Sequence, residues 1–367
     1  IAQTSSWSTR THDSGAPKQS DREAGWKTKS GQPRMVRPQS APARRAAPYT
    51  TRLDPKSAAK LQKSGKGSSV SKSAGASASA AAAGGEDPAY YAFDRGEFLT
   101  ALKLAKQAAE KGEPEAHTLI GRIYAEGHGV ARDLPMAARW YHRAAELGDA
   151  EGAFALGLMY AEGRGVEKNY DYAARLFERA ALKRHVYANY NLGLLFLFGR
   201  GKPENAARGA QHIAYAAEQG VPAAQYDLAE LYLSGHGVPN DAYAASMWFK
   251  RAASLGMAQA QYEYAVMLLR GQGLNADRPR AVEYLTSAAN KGQAGAQNRL
   301  AHAYLEGVGV KKSLRDAAKW RLIAAAQGVA DAKLDTMIKK LPEAERRAAE
   351  QWASVWLDKA TVGGGPL

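Results

Sequence analysis

Apolar positions between residues 114 and 330 recur with two periods at once. Over short distances they fall three and four apart: Ala116, Ile120 and Tyr124 form one stripe of an amphipathic helix. Over longer distances the whole pattern returns every 36 residues. A fixed period of this length marks a solenoid, in which each unit is one supersecondary element stacked on the next. The first helix of each unit carries a tiny residue in its middle: Gly121, Gly157, Gly193, Ala229, Ala265 and Ala301. Glycine costs about 1 kcal/mol relative to alanine in a helix interior. Keeping the position small therefore predicts close approach of another helix.

The polar and glycine positions punctuate this pattern. Gly127-His128-Gly129, Gly163-Arg164-Gly165, Gly199-Arg200-Gly201, Gly235-His236-Gly237, Gly271-Gln272-Gly273 and Gly307-Val308-Gly309 end the first helix of each unit, because glycine takes the positive φ that a helix C-terminus needs. Six residues after each first glycine stands a good N-cap residue: Asp133, Asn169, Asn205, Asp241, Asp277 and Ser313. The second helix then carries large side chains at Trp140, Phe177, Phe249, Leu285 and Trp320. It also carries paired alanines such as Ala144-Ala145 and Ala252-Ala253, and it stops at Gly148, Gly220, Gly256, Gly292 and Gly328. Arg184 stands where a stopping glycine is expected, and Gly201-Lys202-Pro203 breaks the local Gly-Val pattern. Irregular geometry is expected there.

The predicted fold is all-α: a solenoid of about six 36-residue helix pairs, roughly 115–150, 151–186, 187–222, 223–258, 259–294 and 295–330. A leading half-unit runs from Pro88 to Gly112. A C-terminal cap over 331–361, with Trp352, Val355 and Trp356 on one side, hides the last apolar face, as an open-ended array requires. The domain organisation is thus a basic arm and linker, 1–85; the repeats, 86–330; the cap, 331–361; and a flexible tail, 362–367.

Charge separates the arm from the rest. Residues 1–85 hold 15 Lys/Arg against 4 Asp/Glu, while the remaining 282 hold 35 against 32. The arm has almost no large aliphatic side chains, so it cannot bury enough apolar surface to offset its ordering entropy, and disorder is predicted. Its basic residues Arg34, Arg37, Arg44, Arg45, Arg52, Lys56, Lys60, Lys63 and Lys66 suit contact with an anionic surface or an acidic partner. A solvated tether is the plainer reading, and nucleic-acid association through the arm is the alternative function. The chain starts at Ile1 without a methionine. That is taken as a processed start, and export to the periplasm is expected.

Catalytic signatures are absent from the pattern. There is no cysteine, which removes thiol chemistry and cysteine-bound zinc. The histidines lack metal spacing, and His128 and His236 share a slot filled elsewhere by Arg164, Arg200, Gln272 and Val308. The Gly-x-Gly runs follow helices rather than strands, so they are connectors and not phosphate cradles. No catalytic residue, cofactor, metal or small-molecule substrate is expected, and no run of 18 apolar residues would span a membrane.

Leu156-Gly157, Tyr160, Gly163, Gly165-Val166, Ala173-Ala174, Phe177 and Ala180-Ala181 together resemble the Sel1-like repeat family. The resemblance spans about 88–340. It implies a right-handed superhelix related to tetratricopeptide arrays, and a non-enzymatic adaptor binding one or more proteins in signalling, cell-wall or other cell-envelope assemblies. In such arrays one face of the first helix lines a concave groove. Here that face carries Phe154, Leu158, Tyr190, Leu194, Leu197, Tyr226, Leu233, Tyr262, Val266 and Leu269. These are the expected peptide-binding residues, with packing between neighbouring helices as the other reading. On the binding reading, changing Tyr190, Tyr226 and Tyr262 to alanine should abolish binding and spare the fold.

Overall fold

The computed structural model describes residues 87–361; the arm, 1–85, and the tail, 362–367, lie outside the described residues. The chain is an all-α solenoid of repeated helix pairs. Among the described residues there are sixteen helices and no strand. They belong to two compact units, whose described parts are residues 87–168 and 169–361. The division falls inside what the sequence pattern treats as one continuous run of repeats.

The first unit holds α1 (Pro88–Asp94), α2 (Phe98–Glu110), α3 (Pro114–Glu126), α4 (Leu134–Glu146) and α5 (Ala150–Glu162). The leading half-unit is therefore two helices. Phe93 of α1 and Leu102 of α2 join Leu119, Ile120 and Ile123 of α3 in one core cluster. The small residue expected at mid-helix is explained by α4. A Cβ on Gly121 would meet the Tyr141 ring at 2.7 Å.

The second unit continues with α6 (Tyr170–Leu182), α7 (Val186–Leu197), α8 (Ala206–Glu218), α9 (Pro222–Ser234), α10 (Ala242–Ser254), α11 (Ala258–Arg270), α12 (Arg278–Asn290), α13 (Ala294–Glu306) and α14 (Leu314–Ala326). Odd-numbered helices from α7 to α13 are the first of a pair, or A helices; even-numbered ones from α6 to α14 are B helices. Each A helix packs on the B helices before and after it. Their small residues let the backbones approach: a Cβ on Gly193 would lie 2.9 Å from the Gly209 carbonyl oxygen.

Capping sets the helix lengths. Asp241 and Asp277 accept the N–H groups of Ala244 and Arg280 at 2.9 and 3.0 Å, so α10 and α12 start where the sequence places them. At the other end Gly235, Gly271 and Gly307 are left-handed and close α9, α11 and α13. Each connector is shut by one recurring bond, from the N-cap amide to an A-helix carbonyl nine residues back: Asp241 to Tyr232, Asp277 to Leu268 and Ser313 to Tyr304, at 2.9–3.0 Å.

The second glycine of the connector does more than turn the chain. A Cβ on Gly201, Gly237, Gly273 or Gly309 would fall well inside contact with a backbone carbonyl of the preceding B helix, that of Tyr170, Ala206, Ala242 or Arg278. The connector of one repeat rests on the first turn of the previous B helix. Close packing in protein interiors leaves no room for an added methyl at such a contact.

The expected irregularity near Arg184 is smaller than the sequence suggests. Arg184 adopts φ +61° and keeps the turn that glycine makes elsewhere; its N–H donates to Ala181 at 2.8 Å. The departure lies at the end of α7, which is one residue shorter than its counterparts and ends on Phe198 without a left-handed cap.

The C-terminal segment forms α15 (Ala332–Lys339) and α16 (Glu343–Thr361). Ala349, Ala353 and Trp356 face inward, and Trp352 meets the Trp320 ring edge-on at 5.4 Å. Val355 does not join them. It is 48% exposed, because it sits about 100° round the helix from Trp356.

Gly273→Ala should cost about 3 kcal/mol, combining a left-handed alanine with overpacking. Gly292→Ala, at φ +84° with open space around it, should cost only about 1 kcal/mol. Urea unfolding followed by circular dichroism compares the two, and equal losses would show that the carbonyl contact is unimportant.

Candidate functional site

The predicted groove residues do not form an open surface. In the first unit Phe154 and Leu158 are buried, at 1% and 8% exposed. In the second unit Tyr190, Leu194, Leu197, Tyr262 and Val266 are buried, while Tyr226, Leu233 and Leu269 are half-buried against the core. The basic arm residues Arg34, Arg37, Arg44, Arg45, Arg52, Lys56, Lys60 and Lys63 lie outside the described residues.

What these positions build instead is a polar row that steps along the A helices. The Tyr190 hydroxyl on α7 donates to Asp227 Oδ2 on α9 at 2.5 Å. One repeat on, Tyr226 stacks edge-on against Phe249 with ring centroids 5.3 Å apart. Its phenol pKa is pushed far up, first by burial and then by the Glu230 and Glu263 carboxylates, against an opposing hydrogen bond from Gln259. Gln259 Nε2 also donates to Glu263 at 3.1 Å, and Gln293 Nε2 donates to Gln259 at 3.2 Å. One repeat further, Arg299 Nε donates to the Tyr262 hydroxyl at 3.3 Å. Tyr190 with Asp227 and Tyr262 with Arg299 are both separated by 37 residues, one more than the repeat.

The row ends in a buried ionic cluster beneath the cap. Asn298 occupies the tyrosine position of the last repeat and donates to Asp331 Oδ2 at 2.9 Å; His302 Nε2 approaches the same oxygen at 2.6 Å. Arg321, 2% exposed, donates to Asn298 Oδ1, to the Val329 carbonyl and to Asp335. Burial works to raise the Asp331 carboxyl pKa, but donors from Asn298, the Leu334 amide and His302 outweigh it and hold the group below the ordinary carboxylate value.

A second ladder ties α9, α11 and α13 each to the B helix before it. Gln225, Gln261 and Gln297 donate through Nε2 to the carbonyls of Ala217, Ala253 and Ala289, each at 3.1 Å. The apolar pattern hides both ladders. The available signal was polar: glutamine recurring at 36 residues, and Asp227, Glu263 and Arg299 each one residue past the tyrosine position.

Among the described residues no group of three metal-ligating side chains comes together. Nor is any described helix long and apolar enough to cross a membrane.

Comparison with known proteins agrees with this architecture. The Sel1 repeat profile matches residues 98–113, 114–149, 150–185, 186–221, 222–257, 258–293 and 294–329. A Sel1 repeat protein from Oxalobacter formigenes is similar in structure, with TM-score 0.60 and 28% identity over 65% of this chain and 98% of that one. A protective antigen of uropathogenic Escherichia coli shares 22% identity over 75% of this chain and 84% of its own, with TM-score 0.40. The immunity protein PA5088 of Pseudomonas aeruginosa shares 17% over 67% and 82%, with TM-score 0.37. No curated protein matches the chain.

Burial changes what the tyrosine substitutions report. Tyr190→Ala should cost about 3–5 kcal/mol as a large-to-small core change. Tyr190→Phe should cost about 1–3 kcal/mol, the range for losing a hydrogen bond to a carboxylate. Denaturant titration separates them; a Tyr190→Phe variant as stable as wild type would refute the hydroxyl's role.

The cap cluster should be acid-sensitive. The Asp331 carboxyl titrates lower in the folded chain than its unfolded value of about 3.9, so its stabilisation is complete above that value and disappears as pH falls through the folded one. Asp331→Asn should therefore lower the melting temperature at neutrality and narrow the gap to wild type in acid. Thermal melts from neutrality down to about pH 2 test this, and a pH-independent gap would contradict it.

Proposed function

Because the chain belongs to the Sel1 repeat family, we propose that it is a non-catalytic scaffold that holds a basic peptide or protein segment along the A-helix row of residues 190–299. Sel1 repeat proteins are generally non-catalytic, protein-binding scaffolds. The observation that carries the present reading is the row itself. Tyrosine or asparagine recurs at 190, 226, 262 and 298, and three carboxylates, Asp227, Glu230 and Glu263, stand beside it against one arginine, Arg299. Complementary charge would steer a cationic partner and set its register.

A regulatory or assembly role in a cell-envelope complex, with the chain exported to the periplasm, belongs to the same proposal. Compartment fractionation of the native source checks that part separately.

The binding reading is tested with fluorescent peptides of matched length, Lys/Arg-rich against Asp/Glu-rich. Only the basic set should bind, more weakly as salt is raised. Asp227→Asn with Glu263→Gln should reduce that binding about tenfold, equivalent to about 1.4 kcal/mol, with helicity unchanged. Equal binding by acidic peptides, or an unaffected variant, would remove this function from the row.

A further inference from the structure

The connector between α11 and α12 borders a crevice of about 600 Å³, a volume in the range of small-ligand sites. A crevice of about 660 Å³ stands at the corresponding connector of the first unit, between α3 and α4. The shape therefore comes from the connector itself. In the first unit its lining is mainly apolar, with Tyr124, Val130, Leu134 and Pro135 beside Arg132 and Asp133. At α11 and α12 the lining is different.

Four residues depart from the repeat at this one place. Tyr264 stands where the other repeats have Ile120, Leu156, Leu192, Leu228 and Leu300. Leu268 stands where they have Tyr124, Tyr160, Phe196, Tyr232 and Tyr304. The aromatic ring has moved back by about one helical turn. Arg278 and Arg280 open α12, where Leu134 and Met136 open α4 and Ala242 and Ala244 open α10. All four line the crevice.

The displaced tyrosine brings a hydroxyl without a partner. Tyr264 is 5% exposed, and its ring meets Tyr284 edge-on at 5.0 Å. Among the described residues its hydroxyl makes no hydrogen bond, whereas a buried tyrosine hydroxyl ordinarily finds one. The tip faces the charged side of the crevice. Burial raises the phenol pKa, the Arg280 guanidinium opposes that rise, and Tyr284 and the Asp277 carboxylate add to it.

Charge and shape narrow the ligand. Arg278 and Arg280 are exposed, and among the described residues neither guanidinium makes an ion pair or a hydrogen bond. Asp277 caps α12, its Oδ1 accepting the Arg280 amide at 3.0 Å. Two cations against one carboxylate leave a single positive charge over the crevice. A carboxylate matches that charge, and its planar pair of oxygens matches a guanidinium. A phosphomonoester would bring about −1.5 to −2. Leu268, Leu274 and Pro279 supply apolar lining.

We propose that this crevice binds a carboxylate carried on a short apolar body, the C-terminus of a peptide or a free organic acid. The Tyr264 hydroxyl and the two guanidinium groups hold the carboxylate, and Leu268 and Leu274 meet the body. Tyr264 lies about 200° round α11 from Tyr262, so the site is independent of the A-helix row.

Titrations of the full chain followed by saturation-transfer NMR test this with isocaproic acid, isocaproamide, isopentyl phosphate, and acetyl-Gly-Gly-Leu as its free acid and its C-terminal amide. At least one acid should bind and both amides should fail. Tighter binding of the peptide acid assigns the ligand to a chain terminus; equal or tighter binding of isocaproic acid assigns it to a free acid. Arg278→Gln with Arg280→Gln should weaken the acid about tenfold or more, as for hydrogen bonds to charged groups. Both side chains are exposed, so helicity and melting temperature should not change. Tyr264→Phe keeps the ring packed and should weaken the acid about threefold to tenfold. Silence from both acids, amides that bind as well as acids, isopentyl phosphate binding more tightly than either acid, or affinity untouched by the substitutions overturns the proposal.

Discussion

The array is built on the contact between the second connector glycine and the first turn of the preceding B helix. Gly201, Gly237, Gly273 and Gly309 each combine a positive φ with a carbonyl pressed against the space where a Cβ would stand. Either demand alone favours glycine; together they exclude every other residue without movement of the backbone. This contact joins one repeat to the one before it, so the step between repeats is set by backbone atoms and not by adjustable side chains. The recurring connector bond from the N-cap amide, and the glutamine ladder from A helix to preceding B helix, then hold the same step from two other directions.

A fixed step has a chemical consequence. It brings the tyrosine position of one A helix beside the following residue of the next, 37 positions on, and so turns isolated polar side chains into a continuous row. An acid placed on that face of a single helix would be costly to bury. Within the row Asp227 receives the Tyr190 phenol from the preceding repeat and Glu263 receives the Gln259 amide from its own helix, and hydrogen bonds to charged groups are among the stronger ones. The same geometry sets aromatic rings at regular intervals with carboxylates between them.

The ends and the irregular rung show what the step tolerates. Arg184 holds a left-handed conformation that favours glycine, and the turn around it keeps the hydrogen bonds of its counterparts. Neighbouring repeats over-determine the local backbone, which is the condition under which such strain persists. At the C-terminus the array stops by changing chemistry. Arg321 and Asp331 replace the apolar continuation with a satisfied ionic cluster, and α16 lays Trp352 and Trp356 over Trp320. A buried charge that is fully hydrogen-bonded can terminate a stack without leaving an apolar face behind.

The repeat period, the helix boundaries, the caps and the family resemblance were all legible along the chain, because each depends on residues within one 36-residue unit. Asp241 caps α10 and Gly271 ends α11 whatever the repeats around them do. The direction of the tyrosine stripe was not legible. A helical wheel separates the faces of one helix, but whether a face is open depends on neighbours 30 or more residues away, and Tyr190 and Tyr262 proved to be buried side chains with polar tips. Val355 is a local case: it lies about 100° round its own helix from Trp356 and so faces outward. Local patterning decided which helices form and where they end. Only stacking decided which polar residues meet, because the partner of each lies in the next repeat.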